Sequence, residues 1–262
     1  MKSTARRKLA VFAILPLLCA LLAAPAARAD EIHVVTSGGF TAAYLELVPQ
    51  YEAATHSKLT TEFGPSMGTT HNAIPVRLAR GEAIDVVIMA APALDDLIKQ
   101  GKVRAGSRVD LVLSKIGMAV KAGAPHPDIG TLEALKHTLL AAKSIAFSDS
   151  ASGVYLSTEL FPKLGVWDQI RGKSKQIPAD PVGGVVATGE FEIGFQQISE
   201  LRPVKGIDIV GELPPGAQQI TVFAAGIPIT STQPDAARAL IQWLTAPALY
   251  DAIRKTGLEP VK

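Results

Sequence analysis

Short apolar stretches alternate with helix-patterned stretches along this chain, and this alternation restricts the fold more than any other feature. EIHVVTSGG and AIDVVIMAA are apolar runs of strand length, whereas TAAYLELVPQYEAAT carries Ala43, Leu47, Tyr51 and Ala54 at helical spacing. The same order recurs later, where SIAFSDSASG leads into VYLSTELFPKLG. Strands that alternate with helices are typical of parallel sheets covered by helices on both faces. The sequence therefore predicts an α/β protein.

Two segments rich in proline and glycine divide the chain. KAGAPHPDIG and GELPPGAQ bracket a central α/β stretch, and such segments are typical of connections between structural units. We expect two lobes, each a mainly parallel sheet flanked by helices, with a ligand cleft between them. The first lobe is predicted to span residues 30–115 and 220–262, and the second to span residues 116–219. The chain would then cross between the lobes twice.

The N-terminal residues are typical of a secretory signal peptide. A basic start is followed by an apolar run over residues 9–24 and by the small-residue stretch Ala27-Arg28-Ala29. The apolar run is short for a bilayer span, which argues against an uncleaved membrane anchor. The sequence thus predicts a signal peptide over residues 1–29, cleaved after Ala29, and a periplasmic location.

The charge and the single cysteine exclude several classes of function. Removing the five basic residues of the signal peptide from the 26 in the chain leaves 21 against 24 acidic residues, a net charge of −3. This balance, without a basic run, argues against a nucleic-acid partner. Cys19 lies in the signal peptide, so the mature chain has no thiol for disulfides, metal sites or catalysis. His33 and His56 are isolated, and no metal site or cofactor is predicted.

The stretch GPSMG, residues 64–68, matches the G-x-S-x-G turn that presents the nucleophile of α/β-hydrolases. Such a hydrolase needs a histidine late in the chain, and no histidine follows His137. His71 follows Ser66 by only five positions. We therefore expect a protein without catalytic activity, and a serine hydrolase that uses Ser66 is the alternative.

Four turns share a composition that suits a small anion. They are TSGGFT, GPSMGTT, SDSASGVY and PVGGVV, and each leads toward a predicted helix. Glycines allow a guest to approach the backbone, while hydroxyl groups and the unpaired N–H groups of a first helical turn donate hydrogen bonds. Parallel strands bring their carboxyl ends to one edge of a sheet. The pattern therefore predicts a binding site for an anion or a polar small molecule in the cleft.

These motifs resemble the periplasmic molybdate-binding proteins of ABC importers, which belong to the type II periplasmic solute-binding proteins. The resemblance extends from about Glu31 to Pro260 and includes VVTSGGFTAAYLELVPQYEAAT, SDSASGVYLSTELFPKLGVWDQI and the closing ARALIQWLTAPALYDAIRKTGLEP. It implies the two-lobe type II fold, a small anionic ligand, a membrane permease of an ABC transporter as partner, and a monomer.

The resemblance also implies which residues hold the ligand. In that family, serine hydroxyls and backbone N–H groups act at the first two turns, a backbone N–H group at the third, and a backbone group with a tyrosine after a late strand. Carried over to this chain, and with the neighbouring glycines and turn residues included, the implied set is Ser37, Gly38, Ser66, Met67, Gly68, Thr69, Ser152, Gly153, Gln196 and Gln197.

Two departures from the family pattern leave the ligand open. Gln196 and Gln197 stand where the family has an aliphatic residue and a tyrosine, and Pro75 should shorten or kink the helix after the second turn. These amides, with Thr69, Thr70 and His71 near Ser66, suit an elongated carboxylate better than a compact oxyanion. If the two glutamines alternate across a strand, however, at most one of them faces the cleft. We therefore expect either a molybdate- or tungstate-type oxyanion or a small di- or tricarboxylate. A sensing receptor that feeds no transporter is a further alternative.

Overall fold

The computed structural model describes residues 31–178 and 180–261. The predicted signal peptide and Cys19 lie outside these described residues. Within the described ranges, every helix is too short or too polar to cross a lipid bilayer.

The described part of the chain forms eleven strands. They are β1 Glu31–Thr36, β2 Lys58–Phe63, β3 Val86–Ala90, β4 Val109–Ser114, β5 Ile116–Lys121, β6 Ile145–Ser148, β7 Ser174–Ile177, β8 Ile193–Gln197, β9 Ile207–Glu212, β10 Thr221–Gly226 and β11 Leu258–Pro260.

The same residues form eleven α-helices, and a π-helical turn, Leu156–Leu160, joins the fifth to the sixth. They are α1 Gly38–Thr55, α2 Ile74–Ala79, α3 Ala91–Lys99, α4 Leu132–Ala141, α5 Ala151–Tyr155, α6 Phe161–Lys163, α7 Trp167–Ile170, α8 Val182–Thr188, α9 Ile198–Leu201, α10 Pro234–Leu244 and α11 Tyr250–Lys255.

The strands form two separate sheets, and the predicted two-lobe α/β fold is confirmed. The first sheet has the order β11-β4-β10-β3-β1-β2, and the second has the order β7-β6-β8-β5-β9. Both sheets are mixed rather than mainly parallel. β1 pairs in parallel with β2 and β3, and β6 pairs in parallel with β7 and β8, whereas β5 and β10 pair antiparallel with both of their neighbours. The antiparallel strands are those on which the chain enters the second sheet and returns to the first.

Each lobe, meaning one sheet with its covering helices, has apolar residues on both faces of the sheet. In β3, Val86 and Ile88 pack in a cluster with α1 and α10, whereas Val87 and Met89 pack with α2 and α3. All five residues of β3 are buried. Alternate side chains of a strand point to opposite faces, so a central strand with helices on both sides must be apolar throughout. This explains the continuous apolar run in the sequence.

The second turn does not lead directly into a helix. Residues 64–73 form a loop, and α2 begins only at Ile74 with a proline in its first turn. Pro75 lacks a backbone N–H group, which costs nothing in the first turn of a helix but is unfavourable further in. The predicted shortening of this helix is therefore observed, and Ser66 lies eight residues before the helix begins.

The two connections between the lobes are joined by the Gln218 side chain. Its Oε1 accepts a hydrogen bond from the Ile116 N–H group at 2.9 Å, and its Nε2 donates one to the Ile116 carbonyl at 2.9 Å. Ile116 opens β5, the strand that enters the second lobe, and Gln218 lies on the returning segment. The amide therefore pairs the two crossing segments as a neighbouring strand would.

Asp85 connects the beginning of α10 to the first sheet. The carboxylate is buried, and its Oδ1 accepts hydrogen bonds from the Ser231 hydroxyl and from the N–H groups of Thr232 and Gln233, while Oδ2 accepts one from the His33 N–H group. Gln233 is the N-cap of α10, where a negative charge interacts favourably with the helix dipole.

We expect Asp85→Ala to lower the free energy of unfolding by about 3 kcal/mol or more, because four donors lose their shared acceptor. Asp96→Ala is the control: Asp96 is exposed on α3 and pairs only with Lys99, and its loss should change the free energy by less than about 0.5 kcal/mol. Urea denaturation measures both values. Equal midpoints for the two variants would contradict this role of Asp85.

Candidate functional site

The carboxyl ends of parallel strands from both sheets meet at one cavity. It has a volume of about 350 Å³ and is lined by both lobes, which is a size typical of small-molecule sites. The first lobe contributes residues at or after the ends of β1 and β2, and the second contributes residues at or after the ends of β6, β7 and β8. The residues that matter most below are Gly38, Phe63, Asn72, Ser148, Asp149, Ser150, Asp180, Gln196 and Glu200.

The first predicted turn lies against this cavity. Gly38 lines the cavity and is the first residue of α1, and Ser37 is the N-cap of that helix. The Ser37 hydroxyl is buried and has no hydrogen-bond partner among the described residues. The first N–H groups of a helix have no partner within it, so this end of an 18-residue helix offers donors to a ligand.

The four predicted residues of the second turn are spread out. The buried Ser66 Oγ accepts a hydrogen bond from the Ala90 N–H group at 2.9 Å, at the end of β3. Met67 packs against the apolar cluster between the first sheet and α3, and Thr69 is exposed. Gly68 adopts a φ of +92° and faces the Asp149 backbone across the cleft. The hydroxyl of Ser66 thus has a contact within its own lobe.

The third turn is organised around Ser148. The hydroxyls of Ser148 and Ser152 are 3.0 Å apart, and the Gly153 N–H group donates to Ser148 Oγ at 3.2 Å. A Cβ atom on Gly153 would overlap the Ser148 carbonyl, so only glycine fits at this position. Ser148 and Ser150 line the cavity, whereas Ser152 and Gly153 are buried behind them.

Gln196 and Gln197 point to different surroundings. Gln196 lines the cavity; its Oε1 accepts from the Val182 N–H group at 2.9 Å, and its Nε2 donates to Glu200 at 3.0 Å. Gln197 donates to the Thr221 hydroxyl at 3.0 Å, and its buried Oε1 has no partner among the described residues. Alternate residues of a strand face opposite sides, so Gln196 faces the cavity while Gln197 joins the second lobe to β10.

Glu200 is the residue that the sequence did not single out. It lies on α9 immediately after β8 and lines the cavity. A Cβ atom on Gly38 would overlap its Oε1 atom, so the carboxylate lies directly against the first residue of α1. α9 is held there by the Ser199 hydroxyl, which donates to the Gly39 carbonyl at 2.7 Å.

The environment of Glu200 favours the neutral form of its carboxyl. Burial raises the pKa of the Glu200 carboxyl from 4.5 to about 7, and the negative charge of Asp149 adds to the shift. Hydrogen bonds from the Gln196 side chain and the Gln197 backbone oppose it, because they stabilise the carboxylate. A group with a pKa near 7 can accept and return a proton at neutral pH.

The charge of the cavity differs from that expected for a simple anion site. Asp149, Asp180 and Glu200 line it, and among its described lining residues there is no lysine, arginine or histidine. Across residues 31–178 and 180–261, no cluster of three or more histidine, cysteine or acidic side chains is arranged to hold a metal ion. An anion bound here would be held by neutral hydrogen-bond donors.

This chain belongs to the bacterial extracellular solute-binding proteins, as the two-lobe fold with a cleft at the strand ends indicates. The model of that family matches residues 32–259. The family is extracytoplasmic, which agrees with the predicted location, whereas the signal peptide and its cleavage site stay predictions. The limits of the lobes and the monomeric state also stay predictions.

Two relatives and one solved structure are similar to this chain. The chain is 50% identical over 230 residues to an aconitate isomerase of a Pseudomonas species, and the matched residues make up 88% of each chain. It is 27% identical over 247 residues to the molybdate-binding protein ModA of Azotobacter vinelandii, covering 90% of this chain and 92% of the relative. The solved structure of the Azotobacter vinelandii periplasmic molybdate-binding protein has a TM-score of 0.70 and 20% identity, with 88% and 100% coverage.

The family prediction is confirmed, but the prediction of a protein without catalytic activity is wrong. A relative with half of its residues identical over most of both chains is named as an enzyme. The expectation rested on the missing late histidine, which argues against a serine hydrolase but says nothing about proton transfer by a carboxylate. The cavity is lined by Asp149, Asp180 and Glu200, which the search pattern of a serine–histidine hydrolase does not include.

The ionisation of Glu200 gives a stability prediction. Between pH 4.5 and about 7 the native state holds a proton that the unfolded state has lost, so stability falls as the pH rises through this range. We expect Glu200→Gln to be more stable than the parent at pH 8, by about 1–2 kcal/mol after allowance for partial exposure, and equally stable at pH 4.5.

Thermal and urea unfolding at the two pH values measure this difference. Glu46→Gln is the matched control, because Glu46 is an exposed acid on α1, and its substitution should have the same small effect at both pH values. A variant of Glu200 that is less stable than the parent at pH 8 would contradict the raised pKa.

Proposed function

We propose that this protein binds aconitate in the cleft between its lobes and interconverts the cis and trans isomers. The observation that carries the proposal is a cleft that combines an acid of raised pKa with neutral donors from both lobes, in a chain 50% identical to an aconitate isomerase. A small tricarboxylate is one of the two ligand classes that the sequence favoured.

The cleft has the means to hold such a ligand. Gly38 offers N–H donors at the beginning of α1, and Asn72, Ser150 and Gln196 supply side-chain donors around the same cavity. Aconitate carries three carboxylates at neutral pH, and neutral donors compensate part of that charge. The acids of the cleft oppose it, so the donors of both lobes must outweigh the repulsion between the ligand and these acids.

The predicted site residues divide into two groups in this proposal. Ser37, Gly38 and Gln196 contact the ligand, since they lie at the beginning of α1 or on the cavity wall. The other predicted residues shape the turns: Ser66, Met67, Gly68, Thr69, Ser152, Gly153 and Gln197.

The reaction requires no cofactor. In aconitate a methylene group is attached to the carbon–carbon double bond, and removal of one methylene proton gives an allylic anion that the carboxylates delocalise. Return of the proton to the other end of the allyl unit moves the double bond, and its new geometry depends on how the bound chain is folded. One group that carries a proton, together with donors for the developing charge, is sufficient.

Delivery of the ligand to the membrane permease of an ABC importer is a second proposed role. It is supported by membership of the solute-binding family, matched over residues 32–259, and it uses the same cleft. A sensing role without transport is the alternative to this part of the proposal.

We expect trans-aconitate, cis-aconitate and the saturated analogue propane-1,2,3-tricarboxylate to raise the melting temperature of the mature protein. A ligand at 100 times its dissociation constant adds about 2.7 kcal/mol of stability. Proton NMR of the vinyl and methylene signals then follows conversion of either isomer to the same equilibrium mixture. Molybdate, tungstate, sulfate and a cationic polyamine complete the panel.

Two glycine variants test the location of the site. Gly38→Ala, which places a methyl group against Glu200, should weaken binding of the analogue by tenfold or more, whereas Gly184→Ala, with open space around its Cβ position, should not. Stabilisation by molybdate but not by tricarboxylates would show that the ligand is an oxyanion and would contradict the proposed aconitate. Binding of aconitate without conversion would leave a receptor and overturn the isomerase.

A further inference from the structure

We propose that Glu200 is the catalytic residue that carries the proton between the two ends of the allyl unit, an assignment that rests on the isomerase function proposed above. The geometry points to this side chain because it joins the three components of the cleft: the beginning of α1, the end of β8 and the open cavity.

The position of the Glu200 carboxylate is fixed from two sides. Gln196 donates to Oε1 at 3.0 Å from the preceding strand, and Gly38 lies so close that no side chain fits between them. α9 is held against α1 by the Ser199–Gly39 hydrogen bond. A carboxylate that cannot rotate freely returns a proton to a defined place, and small displacements of such groups are costly in rate.

The charged residues that line the cavity with Glu200 are both acidic, and Arg202, the C-cap of α9, donates instead to the Lys255 carbonyl. Asp149 follows β6, Asp180 precedes α8, and both line the same cavity. The first turn of α1 contains no charged residue, and on α9 itself Glu200 is the ionisable group. No cation among the described lining residues stabilises the carboxylate, which keeps it basic enough to remove a carbon-bound proton.

Of the three acids that line the cavity, Glu200 is the one whose carboxylate lies against Gly38, the first residue of α1. The N–H groups of α1 lie beside the point where the proton is removed, and helix N-terminal groups stabilise developing negative charge. The same end of the fold therefore supplies the base and the donors for the anion that the base produces.

The step balances without any further reactant. The Glu200 carboxylate takes a proton from the methylene carbon, and the electron pair of the broken C–H bond spreads over the allyl carbons and the attached carboxylates. The neutral Glu200 carboxyl then gives the proton to the opposite allyl carbon, a new C–H bond forms, and the carboxylate is restored. Nothing is oxidised or reduced, and no group is transferred.

The test is Glu200→Gln in the mature protein, with trans-aconitate as substrate. We expect kcat to fall by 10²- to 10⁴-fold, the range for loss of a general base. Affinity for propane-1,2,3-tricarboxylate, measured by calorimetry, should change by less than about threefold. With aconitate deuterated at the methylene carbon, the parent should transfer deuterium to the opposite allyl carbon, whereas the variant should not.

Two further variants separate chemistry from structure. Gly38→Ala displaces the carboxylate without removing it, so kcat should fall by at least tenfold. Asp149→Asn removes a neighbouring negative charge, which should move the rising limb of the pH profile of kcat toward lower pH, because Asp149 raises the pKa of Glu200. Glu46→Gln, an exposed acid outside the cavity, should leave kcat within twofold.

Each result has a separate meaning. A parent that converts neither isomer overturns both this assignment and the proposed function. An active parent with an active Glu200→Gln variant overturns only the assignment. Loss of analogue binding together with activity makes Glu200 a binding residue and also overturns it. If Glu200→Gln does not fold, the other two variants test the proposal. An unchanged kcat in Gly38→Ala, together with an unchanged pH profile of kcat in Asp149→Asn, would reject it.

Discussion

The direction of six strands determines what the cleft offers a ligand. β1, β2 and β3 run parallel in one sheet, as do β6, β7 and β8 in the other, so their carboxyl ends collect at one edge of each lobe. The turns after these strands therefore face each other, and the backbone donors at the beginning of α1 follow from the same arrangement. The antiparallel strands β5 and β10 serve a different purpose, since they carry the chain between the lobes.

The absence of a cation among the described lining residues of the cavity gives this cleft its chemical character. A lysine or arginine beside Glu200 would hold its carboxylate ionised and make it a weak base. Burial beside Asp149 has the opposite effect and raises the pKa of Glu200 to about 7. In the proposed isomerase, the electrostatic environment that opposes binding of a trianion is therefore the one that makes proton removal by Glu200 feasible.

The sequence predicted the features that depend on local pattern. The apolar run of β3 and the long helix α1 follow from the periodicity of their residues. Strands β4, β7, β9 and β11 were not predicted. β9 is only partly buried along its length, so its sequence has no continuous apolar run.

The candidate site was harder to predict because it depends on contacts between distant residues. Ser199 and Gly39, whose contact holds α9 against α1, are 160 positions apart, and no local pattern marks Glu200 as their neighbour. For the adjacent glutamines, the alternation of a strand shows that they face opposite sides but not which one faces the cavity. The second turn resembled a nucleophile elbow in letters alone, since its serine is followed by a loop and not by a helix.

The Gln218 amide, which fastens the returning segment to Ile116, has a consequence for timing. Two crossing segments joined at one place give a hinge motion of the two lobes a single pivot. A receptor that hands its ligand to a permease opens once for each delivery, whereas an isomerase must release product after every reaction. For the proposed isomerase, the opening frequency of this pivot is therefore an upper limit on turnover, whatever the speed of proton transfer.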